Sequence, residues 1–167
     1  MQGKDSSAAT VQAVPDDSIG EIQSALHSLS RALKRGRLHD YLLGQANVDC
    51  DQAGLAMLYV LNAAGTSLRL TDVAEQLSID APGVTRKAQQ LERAGLVSRS
   101  QDQADARATR IQATPQGRRM ISRFLAARRA WLASLLSSWP EAEQAEFARL
   151  LGRFVDDLRR QLERIAE

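Results

Sequence analysis

The stretch from Leu70 to Thr114, LTDVAEQLSIDAPGVTRKAQQLERAGLVSRSQDQADARATRIQAT, constrains this chain more than any other. Leu70, Ala74, Leu77, Ile79, Val84, Ala88 and Leu91 recur at helical intervals broken once, which predicts two short amphipathic helices sharing a small core. Thr71 suits the N-cap of the first, because its hydroxyl can accept a bond from an otherwise unpaired first-turn amide. Ala74 is small where the two helices must approach closely. Ile79 ends the turn, Asp80 suits the N-cap of the second helix, and Pro82 falls in its first turn, where a missing N–H costs little. Gly95 is placed to close that helix. Two short extended segments follow, Leu96 to Ser100 and Thr109 to Ala113, with Val97 and Ile111 as inward residues. Between them runs the polar loop SQDQADARA. Two helices across a tight turn, followed at once by a ribbon, form a winged helix-turn-helix, a module whose second helix lies in the DNA major groove.

With Val84, Ala88 and Leu91 turned inward, Pro82, Gly83, Thr85, Arg86, Gln89 and Gln90 are left outward or flanking, and Lys87 lies toward the edge. Thr, Arg and Gln can read base edges, while Arg and Lys can also hold phosphates. A polar outer face is ordinary for any exposed helix, so the ribbon carries the distinction. Asp105 and Arg107 are two apart in its loop. A carboxylate there can hold the guanidinium extended toward the narrow minor groove, whereas an ordinary solvated turn would show only a weak surface ion pair.

The stretch resembles the MarR family of bacterial winged helix-turn-helix transcriptional regulators. The shared pattern is Leu91, Glu92, Gly95, Leu96, Val97 and Arg99, then the Asp105 and Arg107 wing, then Thr114, Pro115 and Gly117. No single residue is specific, but their order and spacing together are, and the flanking helices extend the match over roughly residues 19–165. The resemblance implies an obligate homodimer on a palindromic double-stranded operator with a wing arginine in the minor groove. It also implies a short strand at Ser67-Leu68-Arg69-Leu70 joining the wing sheet. Two features depart from the family. Ala106 stands where many relatives have a first wing arginine, which leaves Arg107, helped by Arg110 or Arg99. The recognition helix begins Ala81-Pro82-Gly83, where relatives often have hydroxyl residues. The DNA-binding set expected is therefore Thr71, Pro82, Gly83, Thr85, Arg86, Lys87, Gln89, Gln90, Arg99, Asp105, Arg107 and Arg110.

The net charge of +2 says little about DNA, but its distribution says more. Residues 69–137 hold 12 of the 22 Lys and Arg and only 6 of the 20 Asp and Glu. A local basic excess is what counterion release from phosphate requires. The chain is 44% hydrophobic without any run approaching the roughly 20 apolar residues of a membrane span, so no membrane partner is expected. No apolar signal core opens the sequence, and the expected location is cytoplasmic.

Residues 1–18 are small and polar and read as a flexible tail. From Ile19 to about Gly44 the chain reads as helical, capped by Ser18, with Ile22, Leu26, Leu29 and Leu33 forming a stripe. Gly36 sits inside the basic run RALKRGR. Asn47 to Asp51 reads as a turn and Gln52 to Ala64 as a helix, with Leu55, Leu58, Tyr59 and Leu61 toward the core and Gly65 closing it. After the wing, Thr114-Pro115 opens a helix to about Ser137, its apolar face built from Ile121, Phe124, Leu125, Trp131, Leu132 and Leu135. Ser138 to Glu141 has capping-box spacing. The last helix carries Phe147, Leu150, Leu151, Phe154, Leu158, Leu162 and Ile165 at near-heptad intervals. Such a stripe in so short a chain needs a covering surface, and a two-fold dimer is the commonest one. Ile22, Leu26, Leu29, Phe147, Leu151, Phe154, Leu158 and Leu162 are the expected dimerisation residues.

Cys50, the single cysteine, excludes an intrachain disulfide. Some members of the family sense oxidants through a cysteine near the start of the first helix. Cys50 lies elsewhere, between Asp49 and Asp51, whose charges disfavour a thiolate, so redox sensing stands as an alternative role. His27 and His39 share no metal-ligand spacing and no Ser/His/Asp or phosphate-binding glycine pattern occurs, so neither catalysis nor a metal or other cofactor is expected. The reading is thus a mainly α chain with a small β-wing. It divides into a tail (1–18), an N-terminal dimerisation or linking helix (19–46), a winged helix-turn-helix DNA-binding domain (47–114) and C-terminal dimerisation helices (115–167). The expected function is a homodimeric repressor relieved by a small-molecule effector. The alternatives are a regulator without a ligand, the Cys50-based redox sensor, and a helical interaction protein without DNA binding.

Overall fold

Ile111 is wholly buried at the centre of a three-stranded antiparallel sheet, flanked in register by Leu68 on one side and Arg99 on the other. The computed structural model describes residues 16–34, 36–102, 104–105 and 107–166. The elements are α1 (Asp16–Lys34), α2 (Arg37–Ala46), α3 (Gln52–Ala64), β1 (Leu68–Arg69), α4 (Leu70–Leu77), α5 (Ala81–Arg93), β2 (Val97–Gln101), β3 (Thr109–Ala113), α6 (Pro115–Leu135) and α7 (Glu141–Ala166). The sheet order is β1-β3-β2, so the short strand expected from the family resemblance is present at one edge. Two units are distinguishable, one ending at Tyr41 and the other beginning at Leu42.

The core belongs to the second unit. Val84, Ala88 and Leu91 of α5 are buried together with Leu55, Leu58 and Leu61 of α3, Val97 and Ile111 of the sheet, and Ile121 and Phe124 of α6. The helical period mis-assigned two neighbours. Met57 is buried and Tyr59 exposed in α3, while in α4 Val73 is fully buried and Ala74 only half so. Leu132 and Leu135, placed on the apolar face of α6, are exposed, so only the first half of that helix is in the core.

Several local expectations are corrected. The helix read over 19–44 is two helices, because Gly36 adopts φ +68°, a left-handed conformation that interrupts a right-handed helix and that glycine takes without a Cβ clash. The first of them starts at Asp16, so Ser18 is inside it instead of capping it. The remainder of the expected tail, residues 1–15, lies outside the described residues. Thr71 is not a cap: α4 begins one residue earlier, with Arg69 at the N-cap, and the Thr71 hydroxyl donates to Asp72. Asp80 is the N-cap residue of α5 but makes no side-chain cap bond. Between α6 and α7 the Gln144 amide, and not the Ser138 hydroxyl, closes the turn by donating to the carbonyls of Leu136 and Trp139.

The start of α6 is pressed against the chain that follows α5. Thr114 accepts the Gly117 amide on its hydroxyl at 3.1 Å and donates that hydroxyl to the Gly95 carbonyl at 2.7 Å. Its own amide donates to the Leu96 carbonyl at 3.0 Å. A Cβ on Gly117 would stand 2.0 Å from that same carbonyl oxygen, so the first turn of α6 packs this closely only because residue 117 has no side chain. Gly117→Ala is expected to destabilise the fold by about 1–3 kcal/mol or more through forced displacement of the backbone. Gly152→Ala, in the exposed α7 with open space around it, should instead stabilise by up to about 1 kcal/mol through helix propensity. Chemical denaturation of the two variants checks the contrast.

Candidate nucleic-acid interface

The outer face of α5 and the loop between β2 and β3 lie on elements fixed by the same core, since Val84, Ala88 and Leu91 anchor one and Val97 and Ile111 the other. On α5, Pro82, Arg86 and Gln90 are exposed and Gly83, Thr85, Lys87 and Gln89 half-buried. The Thr85 hydroxyl donates back to the Ala81 carbonyl at 2.9 Å. Thr71 of α4 is exposed as well.

The cations fall into two groups. Lys87 is held: its ammonium donates to Asp51 at 2.5 Å and to Gln90 at 2.6 Å, and its side chain is 17% exposed. Asp51 also caps α3 by accepting the Gly54 amide at 2.8 Å, so one carboxylate joins the start of α3 to the middle of α5. Arg99 pairs with Glu92 at 2.6 Å, tying β2 to the end of α5. Arg110 donates to Asp102 at 2.8 Å and to the Ser67 hydroxyl, also at 2.8 Å. By contrast, neither Arg86 on α5 nor Arg107 in the wing has a carboxylate within salt-bridge distance among the described residues, and both are exposed. A guanidinium without an internal counterion is free to meet an anion from outside.

The wing differs from the sequence expectation in which aspartate does the holding. Asp105 does not restrain the Arg107 guanidinium; it accepts that residue's backbone N–H at 2.9 Å. The organising carboxylate is Asp102, 6% exposed, which the sequence reading passed over. It accepts Arg69 Nε at 3.0 Å and Nη2 at 3.2 Å, Arg110 Nη1 at 2.8 Å, and the amides of Ala104 and Asp105 at 2.9 and 3.2 Å. The Arg69 guanidinium, then Arg110 and the loop amides, hold this carboxyl far below the ordinary carboxylate range. The signal for it was cross-strand register: Arg69 faces Arg110, and two opposed guanidiniums need a counterion, but that pairing is invisible until the sheet is assembled.

Cys50 is half-buried, and its thiol is pushed up by burial first and then by Asp51, with Lys87 pulling it down and Asp49 adding the least upward push. A raised thiol is mostly protonated at neutral pH and weakly nucleophilic. Among the described residues no group of three or more His, Cys, Asp or Glu could hold a metal ion. No described helix is long and apolar enough to cross a membrane. The expected dimerisation residues Ile22, Leu26 and Leu29 on α1, and Phe147, Leu151, Phe154, Leu158 and Leu162 on α7, are all exposed.

Comparison with known proteins places this geometry. Residues 53–109 match the model of the MarR family. The HTH-type transcriptional repressor MdtR of Bacillus subtilis (strain 168) is 26% identical over 138 residues, spanning 83% of this chain and 86% of its own. The structure of a MarR family protein from Bacillus stearothermophilus superposes with a TM-score of 0.75 at 24% identity, covering 87% of this chain and 99% of the other. A mutant of S. aureus MepR bound to an oligodeoxyribonucleotide has the same fold at a TM-score of 0.57 and 23% identity, over 82% of this chain and 97% of its own.

The depressed Asp102 titration makes the wing network insensitive to mild acid. A carboxyl whose folded value lies below its ordinary 3.8 contributes stability that is complete above 3.8 and is lost only as pH falls below it. The stability difference between the parent and Asp102→Asn should therefore be constant from about pH 8 to about pH 5 and shrink below 3.8. Urea titrations of both proteins across that range check it; a difference already shrinking between about pH 7 and 5 would contradict the assignment.

Proposed function

We propose that this chain is a MarR-type DNA-binding transcriptional regulator that works in the cytoplasm as a homodimer on a palindromic operator, most simply as a repressor. The observation that carries the reading is that, of the cations expected to meet DNA, Arg86 on the outer face of α5 and Arg107 in the wing are exposed and have no carboxylate within salt-bridge distance among the described residues. The other cations expected to meet DNA, Lys87, Arg99 and Arg110, are each paired to a carboxylate. In the proposed complex α5 enters the major groove, where Arg86, Gln89 and Gln90 reach base edges, and Arg107 enters the adjoining minor groove. Lys87, Arg99 and Arg110 then act chiefly by stiffening the module.

The exposed stripes on α1 and α7 support the dimer. Apolar side chains arrayed this regularly are costly to leave in water, and a second copy is the commonest cover. A two-fold axis would set the recognition helices about one DNA turn, roughly 34 Å, apart. A small molecule would relieve repression by binding one spacing of those helices better than another; equal affinity for both would shift nothing. The raised Cys50 thiol weighs against a redox trigger at that residue.

Two outcomes are expected. Arg107→Ala should lose about 1–3 kcal/mol of affinity for the duplex upstream of the chain's own gene, measured by fluorescence anisotropy against a shuffled duplex. Unchanged binding would remove the wing from the interface. Leu158→Glu should convert the parent dimer to a folded monomer in sedimentation and cut operator affinity by at least about tenfold, because each half-site would then be bound alone.

A further inference from the structure

At the end of the sheet nearest the wing, two like charges oppose each other. Arg69 of β1 and Arg110 of β3 are register partners, and directly opposed side chains share one face. Asp102, the first residue past β2, bridges them with the bonds given above, while its side chain is 5% exposed and that of Arg69 42%. The same carboxylate accepts the amides of Ala104 and Asp105, and Asp105 accepts the amide of Arg107. A continuous run of bonds thus joins Arg69, the N-cap residue of α4, to the backbone that carries the wing arginine. The Arg107 guanidinium is outside the run; what is restrained is the chain beneath it.

We propose that Asp102 is a positioning residue for Arg107: braced by Arg69 and Arg110, it fixes the wing at a set angle to the helix-turn-helix, so that the wing cation reaches DNA preorganised. The proposal rests on the DNA-binding reading above. Its physical basis is the entropy of ordering a loop, which a restrained loop has already lost before it binds. Removing the Asp102 charge leaves Arg69 and Arg110 opposed without the carboxylate that bridges them. The loop keeps its internal backbone bonds, Asp102 N–H to the Ala108 carbonyl and Ala108 N–H to the Asp105 carbonyl. The wing would therefore persist as a loop but lose its fixed relation to α4.

A double-mutant cycle tests this, with anisotropy on the operator duplex for the full-length parent, Asp102→Asn, Arg107→Ala and the double variant. Asp102→Asn should weaken binding about tenfold, and Arg107→Ala, costly in the parent, should then cost less than about threefold in the Asp102→Asn background. A merely structural role for Asp102 would leave the Arg107 effect the same size in both backgrounds, and that additive result would overturn the proposal. If Asp102→Asn shows no cooperative melt, the cycle is run with Arg69→Gln, which removes one brace and leaves the loop amides bonded; the same two outcomes decide. A parent protein that does not distinguish the operator from a shuffled duplex is a separate failure, which sinks the DNA-binding reading and this proposal with it.

Discussion

Thr114 is where three elements become one body. Its hydroxyl and amide bond to the carbonyls of Gly95 and Leu96, immediately past α5, and its side chain caps α6 through Gly117. The end of α5, the start of β2 and the start of α6 are therefore separated by single hydrogen bonds and by one glycine without a Cβ. A buried contact this close does not deform gradually. A displacement of the first turn of α6 has to be passed to α5, which is the mechanical requirement for anything acting on the long helix to be felt at the outer face of α5.

Around that junction the charges are sorted by role. Asp51 and Glu92 each take one cation and Asp102 takes two, and they join elements: α3 to α5, α5 to β2, and β1 and β3 to the wing. Such half-exposed pairs add little net stability individually, but they define where the elements stand. Arg86 and Arg107 are left outside this arrangement. Among the cations expected at a DNA surface, those with an aspartate or glutamate within reach brace the module, and the other two stand exposed without one among the described residues.

Much of this was legible before the fold was known. The spacing of Val84, Ala88 and Leu91 set the inward face of α5, and Pro82 and Gly95 bracketed the helix nearly to the residue. The motif Thr114-Pro115-x-Gly117 marked the start of α6. What could not be read depended on partners distant in sequence. Asp102 meets Arg69 from 33 positions away, and Lys87 meets Asp51 across 36. The helical period alone did not separate Met57 from Tyr59 or Val73 from Ala74, because each pair straddles the boundary of an apolar face. The exposed stripes on α1 and α7 were visible in both descriptions, since an apolar period is the same whether or not anything covers it.

One property of α7 bears on how two equilibria can be told apart. Four of its five arginines pair with carboxylates of the same helix: Arg149 with Glu146, Arg153 and Arg160 with Asp157, Arg159 with Asp156. Identical helices brought together through their apolar stripe would meet little net charge, and apolar association is not weakened by simple salt as exposed ion pairing is. Arg86 and Arg107 have no carboxylate within salt-bridge distance among the described residues, and in the proposed complex their attraction to phosphate would fall as ions compete for it. Ionic strength then becomes a selective handle, one that strips nucleic acid from the proposed complex while leaving its two copies joined.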